Sequence, residues 1–387
     1  RTIPAMNADT DMTASMATRV RQAAQSGTPL RIRGGGSKDF YGQSLSGDVL
    51  DMAAYAGVVS YEPSELVVTV RAGTKLAELE SLLAEQGQCL PFEPPHFGPR
   101  ATVGGMVASG LNGPARASSG AVRDFLLGVV LLNGQGECLT FGGQVMKNVA
   151  GYDVSRLMAG AMGTLGVLLE VSLKVLPIAP AQATLRCSLP QQKALDLLNR
   201  WGGQPLPLNA SCWVHDDSAS PGQDVLLVRL RGAVAAVEAA GPRMVADVQA
   251  AGGQALVMDN AQASAAWHAC REQTLPFFAQ APSPDACLWR LSVPQTTPAL
   301  DLPFAQLLEW HGGLRWLWAP ASSAAPLRQV AEKACGHATL FRRAAHTPAD
   351  TPVFTPLSPV QARIQRELKK QFDPAGVFNP GRMSADW

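Results

Sequence analysis

Arg33-Gly34-Gly35-Gly36-Ser37-Lys38 follows the apolar–basic alternation Leu30-Arg31-Ile32-Arg33, so a short strand runs directly into three consecutive glycines. Three glycines in a row lose much backbone entropy on folding and need a physical reason. With no side chains in the way, their N–H groups can turn inward as an anion-binding nest. Ser37 adds a hydroxyl donor, and Arg33 and Lys38 add positive charge. A plain turn would explain the glycines equally well if they stood alone.

They do not stand alone. Thr102-Val103-Gly104-Gly105 is followed by Ser109-Gly110-Leu111-Asn112-Gly113, and a third cluster, Gly160-Ala161-Met162-Gly163-Thr164-Leu165-Gly166, enters an alternating stretch at Val167. Three small-residue loops beside strands point to one extended ligand, charged at its centre and flat at its ends. No GxGxxG follows a strand and no GxxxxGK[ST] is present, which disfavours a Rossmann NAD site and a P-loop NTPase.

Working outward, the chain alternates helix and strand signals. Asp11–Gln25 reads as an amphipathic helix closed by Gly27. Leu66–Arg71 reads as a strand, and Thr74 is expected to cap a helix carrying Leu76, Leu79, Leu82 and Leu83. Gly128–Leu132 and Glu137–Phe141 flank Asn133-Gly134, a hairpin signal. In Val167–Val175, Val167, Leu169, Val171, Leu173 and Val175 line one face, with Glu170, Ser172 and Lys174 on the other. Lys147–Asp153 reads as opening a short helix with Asp153 as its cap. Pro177 and Pro180 mark a boundary. From about 181 to 345 a second α+β pattern follows, with Arg186 and Arg229 on strands, a long helix over Ala233–Ala251, and a concentration of tryptophans read as core or interface anchors. Near the end, Ser358-Pro359 with Gln361 forms a capping box, and Val360, Ile364 and Leu368 share one face of the helix that follows.

Composition narrows the classes. The 387 residues are 47% hydrophobic and carry 32 basic against 31 acidic side chains, a net charge of +1, so no nucleic-acid partner is expected. None of the seven cysteines forms a CxxC pair, which argues against a zinc site or an iron–sulfur cluster within the chain and suits a reducing cytosol. No apolar run approaches the roughly 20 residues that span a bilayer. The start, Arg1-Thr2-Ile3-Pro4, shows no signal-peptide pattern and lacks an initiating Met.

Arg33–Lys38, Ala101–Gly113, Gly120–Asp124, Lys147–Asp153 and Gly163–Lys174, in that order and spacing over about residues 28–177, resemble the FAD-binding domain of the p-cresol methylhydroxylase/vanillyl-alcohol oxidase (PCMH-type) superfamily. Within it the likeness is to the FAD-binding subunit type of bacterial glycolate oxidase (GlcE type). The terminal Phe372-Asp373-Pro374 and Phe378-Asn379-Pro380-Gly381-Arg382 resemble the ending of the glycolate oxidase and D-lactate dehydrogenase branch. That ending argues against UDP-N-acetylmuramate reductase, which shares the fold.

The resemblance implies an α+β fold: a two-lobed PCMH-type FAD-binding domain over 1–178, a smaller α+β cap domain with an antiparallel sheet covered by helices over 179–345, and a C-terminal segment, 346–387, returning to the FAD domain. It places Gly34, Gly35, Gly36 and Ser37 on the pyrophosphate, with Arg33 and Lys38 beside them among the cofactor-binding residues. Thr102, Gly104, Gly105, Ser109 and Gly110 lie along pyrophosphate and isoalloxazine, Gly163 and Val167 near the adenine side, and Pro95 and Asn379 by the flavin.

Two departures matter. Ser37 occupies the region where many superfamily oxidases tether the flavin through a His, so non-covalent FAD is expected, and Met162 replaces an acidic residue common in free-standing dehydrogenases. Trp310-His311-Gly312-Gly313-Leu314-Arg315-Trp316 lacks the acidic residues and second His of the branch's HxGDGNxH motif, so no metal is expected. His96 reads as structural more than flavin-polarising, and no catalytic residue is assigned. The resemblance implies a 2-hydroxy-acid dehydrogenase subunit, passing electrons from a small 2-hydroxy acid such as glycolate or D-lactate to a sister flavoprotein and an iron–sulfur subunit. A stand-alone dehydrogenase, and a partner-binding subunit with a vestigial site, stay open as alternatives. The expected location is cytoplasmic, with peripheral attachment to the inner face of the membrane left open.

Overall fold

The strand ending in the glycine run forms as expected, Leu30–Arg33, and it pairs in parallel with Asp48–Asp51. The computed structural model describes residues 5–143, 153–217 and 221–385. The reading of Lys147–Tyr152 falls outside these; Asp153 does cap Val154–Leu157, accepting from the Arg156 N–H at 3.3 Å.

A five-stranded antiparallel sheet follows in the order Val58–Glu62, Val67–Arg71, Val167–Lys174, Leu126–Leu132, Cys138–Gly142. The alternation in Val167–Lys174 misleads about its second face. This strand is central, with Val167 and Leu169 in one apolar core and Leu168, Val171 and Leu173 in another. Ser172 is buried and hydrogen-bonded to Thr69 at 2.8 Å between hydroxyls, so both faces are covered. The hairpin forms, but its loop is longer than two residues. The Asn133 side chain organises it by accepting from the N–H groups of Gln135 and Glu137.

Thr74 does not cap the helix Leu76–Glu85. The N-cap position is Lys75, and the Thr74 hydroxyl instead accepts from the Gly57 N–H at 3.0 Å, because a neighbouring loop competes for it.

The second half builds an eight-stranded sheet, antiparallel at every pairing, in the order Gln254–Val257, Ala181–Ser188, Gln223–Gly232, Leu208–Asp216, Gln306–Glu309, Leu314–Pro320, Ala286–Ser292, His337–Arg342. Helices Gln191–Gly202 and Val234–Ala250 cover one face through Leu195, Trp201, Val237 and Met244. The other face meets the first half. There Ala210, Cys212, Leu288 and Trp316 share an apolar cluster with Tyr41, Leu111 and Met162.

The C-terminal helix Pro359–Phe372 starts at the expected box, with Ser358 accepting from the Gln361 N–H at 3.3 Å. Val360 and Ile364 are exposed rather than packed, and Leu368 lies half-buried against the first core. The segment after the helix is anchored by charge. The buried Lys369 ammonium donates to the Asp373 carboxylate at 2.7 Å, to the Thr164 carbonyl at 2.7 Å and to the Phe378 carbonyl at 2.8 Å. The fully buried Asp373 also accepts from the N–H groups of Val377 and Phe378. Phe378 is thereby laid beside Leu30, with Leu30 N–H donating to Val377 O and Asn379 N–H to Leu30 O. Removing Lys369 leaves a buried carboxylate without its cation and two carbonyls without their donor. Lys369→Ala is expected to lower unfolding free energy by about 3–5 kcal/mol in urea titration.

Candidate dinucleotide cleft

The three glycine clusters meet. Arg33, Gly34, Gly35, Gly36, Ser37, Lys38, Thr102, Gly105, Ser109 and Asn379 all line one open cleft. Met162, from the third cluster, lines it too, and Gly110 of the second packs against Gly160 of the third, where an added Cβ would come within 2.9 Å of the Gly160 Cα.

The glycine requirement is real, but its cause differs from simple clearance for a ligand. A Cβ on Gly35 would run into the Arg100 carbonyl, and one on Gly34 into the Thr102 hydroxyl. Gly36 has φ +73° and faces the Arg33 guanidinium, so only glycine adopts this turn without strain. The close approach presses the loop against Arg100–Thr102. Among the described residues, no protein acceptor takes the backbone N–H groups of Gly35, Gly36, Ser37 and Lys38. Four such donors on successive residues fit a diphosphate, and hydrogen bonds to a charged acceptor are worth about 1.5–3 kcal/mol each.

The charges are more constrained than the sequence implied. Asp39 accepts from Arg31 at 2.6 Å and from Arg33 Nε at 3.0 Å, so Arg33 is already half-neutralised. Lys38 donates to the His96 carbonyl at 3.1 Å, and burial lowers its pKa to about 8 despite Glu272 nearby. Arg382, which the sequence reading quoted only within the terminal motif, is buried in the cleft wall. It donates to the carbonyls of Lys38 and Asp39 at 3.2 Å, and burial lowers its pKa to about 10, so it stays charged at neutral pH. Its position in an arginine-bearing terminal motif was the available signal. Three cations therefore surround the cleft against the single Asp39 carboxylate.

The remaining predicted residues take different places. Asn379, at φ +41°, accepts from the Ile32 N–H at 2.8 Å and donates to the Met162 carbonyl at 2.7 Å, which ties the glycine-loop strand to the third cluster. Gly163 packs against that side chain, an added Cβ lying 2.6 Å from Asn379 Nδ2. Gly104 is buried against Ala72 and Val167 lies in the core, both behind the cleft's lining. Pro95 lines a separate pocket with Phe97.

The loop Phe92–Gly98 is fixed structurally. Burial pushes the Glu93 carboxyl up, but Arg229 and Arg231 outweigh it and hold the carboxyl below its usual range, with Arg229 Nη2 2.7 Å away. His96 bonds Glu80 at 3.0 Å, and Glu272 accepts from the N–H groups of His96 and Phe97. That network accounts for His96 without a flavin. Buried His311 lies between the hydroxyls of Ser118 and Ser211, at 3.0 Å from each, and burial lowers its pKa to about 4.

Comparison with known proteins agrees with this geometry. A family model described as an FAD binding domain matches residues 10–142. The chain is 44% identical over 376 residues, 97% of its length, to glycolate oxidase subunit GlcE of Escherichia coli (strain K12), spanning 98% of that protein. It is 30% identical over 162 residues, 41% of this chain and 28% of the other, to the mitochondrial D-lactate dehydrogenase [cytochrome] of Arabidopsis thaliana. The solved structure of an alkyldihydroxyacetonephosphate synthase superposes with a TM-score of 0.67 at 14% identity, covering 94% of this chain and 74% of that one, a likeness of fold alone.

Fold and cleft thus define a PCMH-type FAD-binding flavoprotein. The chain belongs to the GlcE family of glycolate oxidase subunits.

Two outcomes follow from the cleft. Gly35→Asp, which drives a side chain into Arg100 and sets a negative charge beside the four amides, is expected to abolish FAD retention on desalting. Lys38 must carry its proton to face a diphosphate. As pH rises from 7 to 9, past a pKa of about 8, FAD affinity is expected to fall about tenfold by fluorescence titration. Lys38→Gln is expected to bind FAD more weakly at pH 7 and to show little of that pH dependence.

Proposed function

We propose that this chain is the FAD-binding subunit of a glycolate oxidase-type 2-hydroxy-acid dehydrogenase. The observation that carries the reading is the near-complete coverage of GlcE, joined to four amides without a described protein acceptor and three cations in one cleft. When bound, FAD supplies the two-electron chemistry that oxidation of a 2-hydroxy acid requires. The chain's own residues hold and orient it. Gly35, Gly36, Ser37 and Lys38 donate to the diphosphate, Arg382 and Lys38 balance its charge, and Asn379 and Gly163 keep the loops in register. Arg33, Gly34, Thr102, Gly105 and Ser109 complete the lining, and Pro95 belongs to the neighbouring pocket. Gly104, Gly110 and Val167 support it through packing. Ser37 offers no imidazole to the flavin, so FAD is held non-covalently.

Domain limits at about 178 and 345 agree with the change from the five-stranded to the eight-stranded sheet. The terminal segment belongs with the first domain through Lys369 and Phe378. The chain works with a sister flavoprotein and an iron–sulfur subunit that takes electrons onward. Support comes from the likeness to GlcE, itself a glycolate oxidase subunit, and from the sequence around His311, where the acidic and second His positions of the metal motif are lost. No described helix is long and apolar enough to cross a membrane, and any membrane attachment would run through the partners. Anaerobic glycolate or D-lactate is expected to bleach the flavin absorbance of the assembled complex. An unchanged spectrum would contradict the reading, and full dye reduction by the isolated chain would favour a stand-alone dehydrogenase.

A further inference from the structure

The loop Phe92–Gly98 bends against local preference. Glu93 and Phe97 hold left-handed backbone, at φ +47° and +53°, a state that residues other than glycine keep where their surroundings over-determine it. Both are held from the second half of the chain. Arg229 and Arg231 grip Glu93, and Phe97 is gripped by a second carboxylate, Glu272, the last residue of the helix Asn260–Glu272. Glu272 Oε2 accepts from the Phe97 N–H at 2.8 Å, and both of its oxygens lie 3.2 Å from the His96 backbone nitrogen. A carboxylate at this end of a helix faces the negative pole of the helix dipole. With 12% of the side chain exposed, water offsets little of that cost. The offset comes from the two loop amides and from Arg271 Nε at 2.9 Å.

One peptide group carries the effect to the dinucleotide cleft. The Phe97 N–H that Glu272 accepts from and the His96 carbonyl belong to the same peptide bond, and that carbonyl accepts from the Lys38 ammonium at 3.1 Å. In a trans peptide the two groups point in opposite directions. The carboxylate and the ammonium therefore polarise it in the same sense, and each strengthens the other's hydrogen bond. The Lys38 ammonium also lies 5.6 Å from the centroid of the Phe97 ring. Other charges near Lys38 are engaged elsewhere. Asp39 is bound by Arg31 and Arg33, Arg382 donates to the Lys38 carbonyl, Arg342 shares the Phe97 ring at 5.5 Å, and the His96 ring is turned to Glu80. Burial lowers the Lys38 pKa to about 8, and the charge of Glu272 works against that shift.

We propose that Glu272 is a positioning residue for FAD, holding the Lys38 ammonium at the diphosphate through the His96–Phe97 peptide. The inference rests on the cofactor reading of the cleft and adds to it the residue that sets one of its cations. It makes cofactor affinity in the first half of the chain depend on a helix of the second. Glu272 touches no part of the cleft lining itself and acts through Lys38.

The test is fluorescence titration of the deflavinated full-length chain with FAD between pH 6 and 9, run as a double-mutant cycle with Lys38→Gln. Glu272→Gln is expected to weaken FAD binding about fivefold at pH 8, roughly one hydrogen bond. Without the opposing carboxylate, burial makes Lys38 give up its proton at lower pH. Affinity is therefore expected to fall earlier on the pH scale than in the wild type, with a smaller loss at pH 6, where Lys38 stays protonated. In the Lys38→Gln background the same substitution is expected to change affinity less than about twofold. Glu272→Asp keeps the charge on a shorter arm, in case the glutamine variant fails to fold. It is expected to weaken binding about threefold with Lys38 present and to change little without it. Glu332→Gln, at an exposed position of the helix Ala324–Lys333, is expected to bind FAD as the wild type does. Equal losses in the two Lys38 backgrounds, or wild-type affinity in both Glu272 variants, would overturn the proposal and leave Glu272 a latch between the two halves. Undiminished affinity in Lys38→Gln would sink it together with the placement of Lys38 at the diphosphate. A wild-type chain that binds no FAD would sink the cofactor reading itself.

Discussion

A single buried ammonium sets the geometry that everything else uses. Lys369 carries its charge into the interior, where an unpaired ion would cost several kcal/mol, and the structure answers with three acceptors at hydrogen-bonding distance. Burial lowers the Lys369 pKa while Asp373 works against that shift. Because two of the acceptors are the carbonyls of Thr164 and Phe378, the charge joins the third glycine cluster to the terminal segment. Asn379 then extends the junction to Ile32 and Met162. The cleft is the space those ties leave beside the glycine loop.

The same logic explains why the loop holds three glycines. Its Cβ positions are occupied by the chain itself, by Arg100, Thr102 and Arg33, so the backbone is pressed inward on one side and its amides are left without protein acceptors on the other. Preorganised donors need no reordering when an anion arrives, which is how a short loop can grip a diphosphate firmly. The cations around it are moderated by Asp39 and by burial, so attraction is local and directional.

Much of this was legible along the chain because it is local. The hairpin around Asn133 and the Ser358 capping box are statements about neighbouring residues, and each appears where expected. What escaped depends on partners far away in sequence. Thr74 was drawn to Gly57, and Val167 became a core residue because strands on both sides enclose it. The latch of Glu93 on Arg229 and the approach of Arg382 to Lys38 span 136 and 344 positions. Periodicity reports which face of an element is apolar; it does not report what the other face will meet.

The central claim is that four backbone amides and their flanking cations hold one dinucleotide without a covalent link. Its most direct measurement is the flavin content of the purified chain before and after acid precipitation. The account predicts close to one FAD per chain in solution, all of it released to the supernatant. Flavin remaining in the pellet, or a colourless chain that takes up no FAD when offered it in excess, would contradict the account.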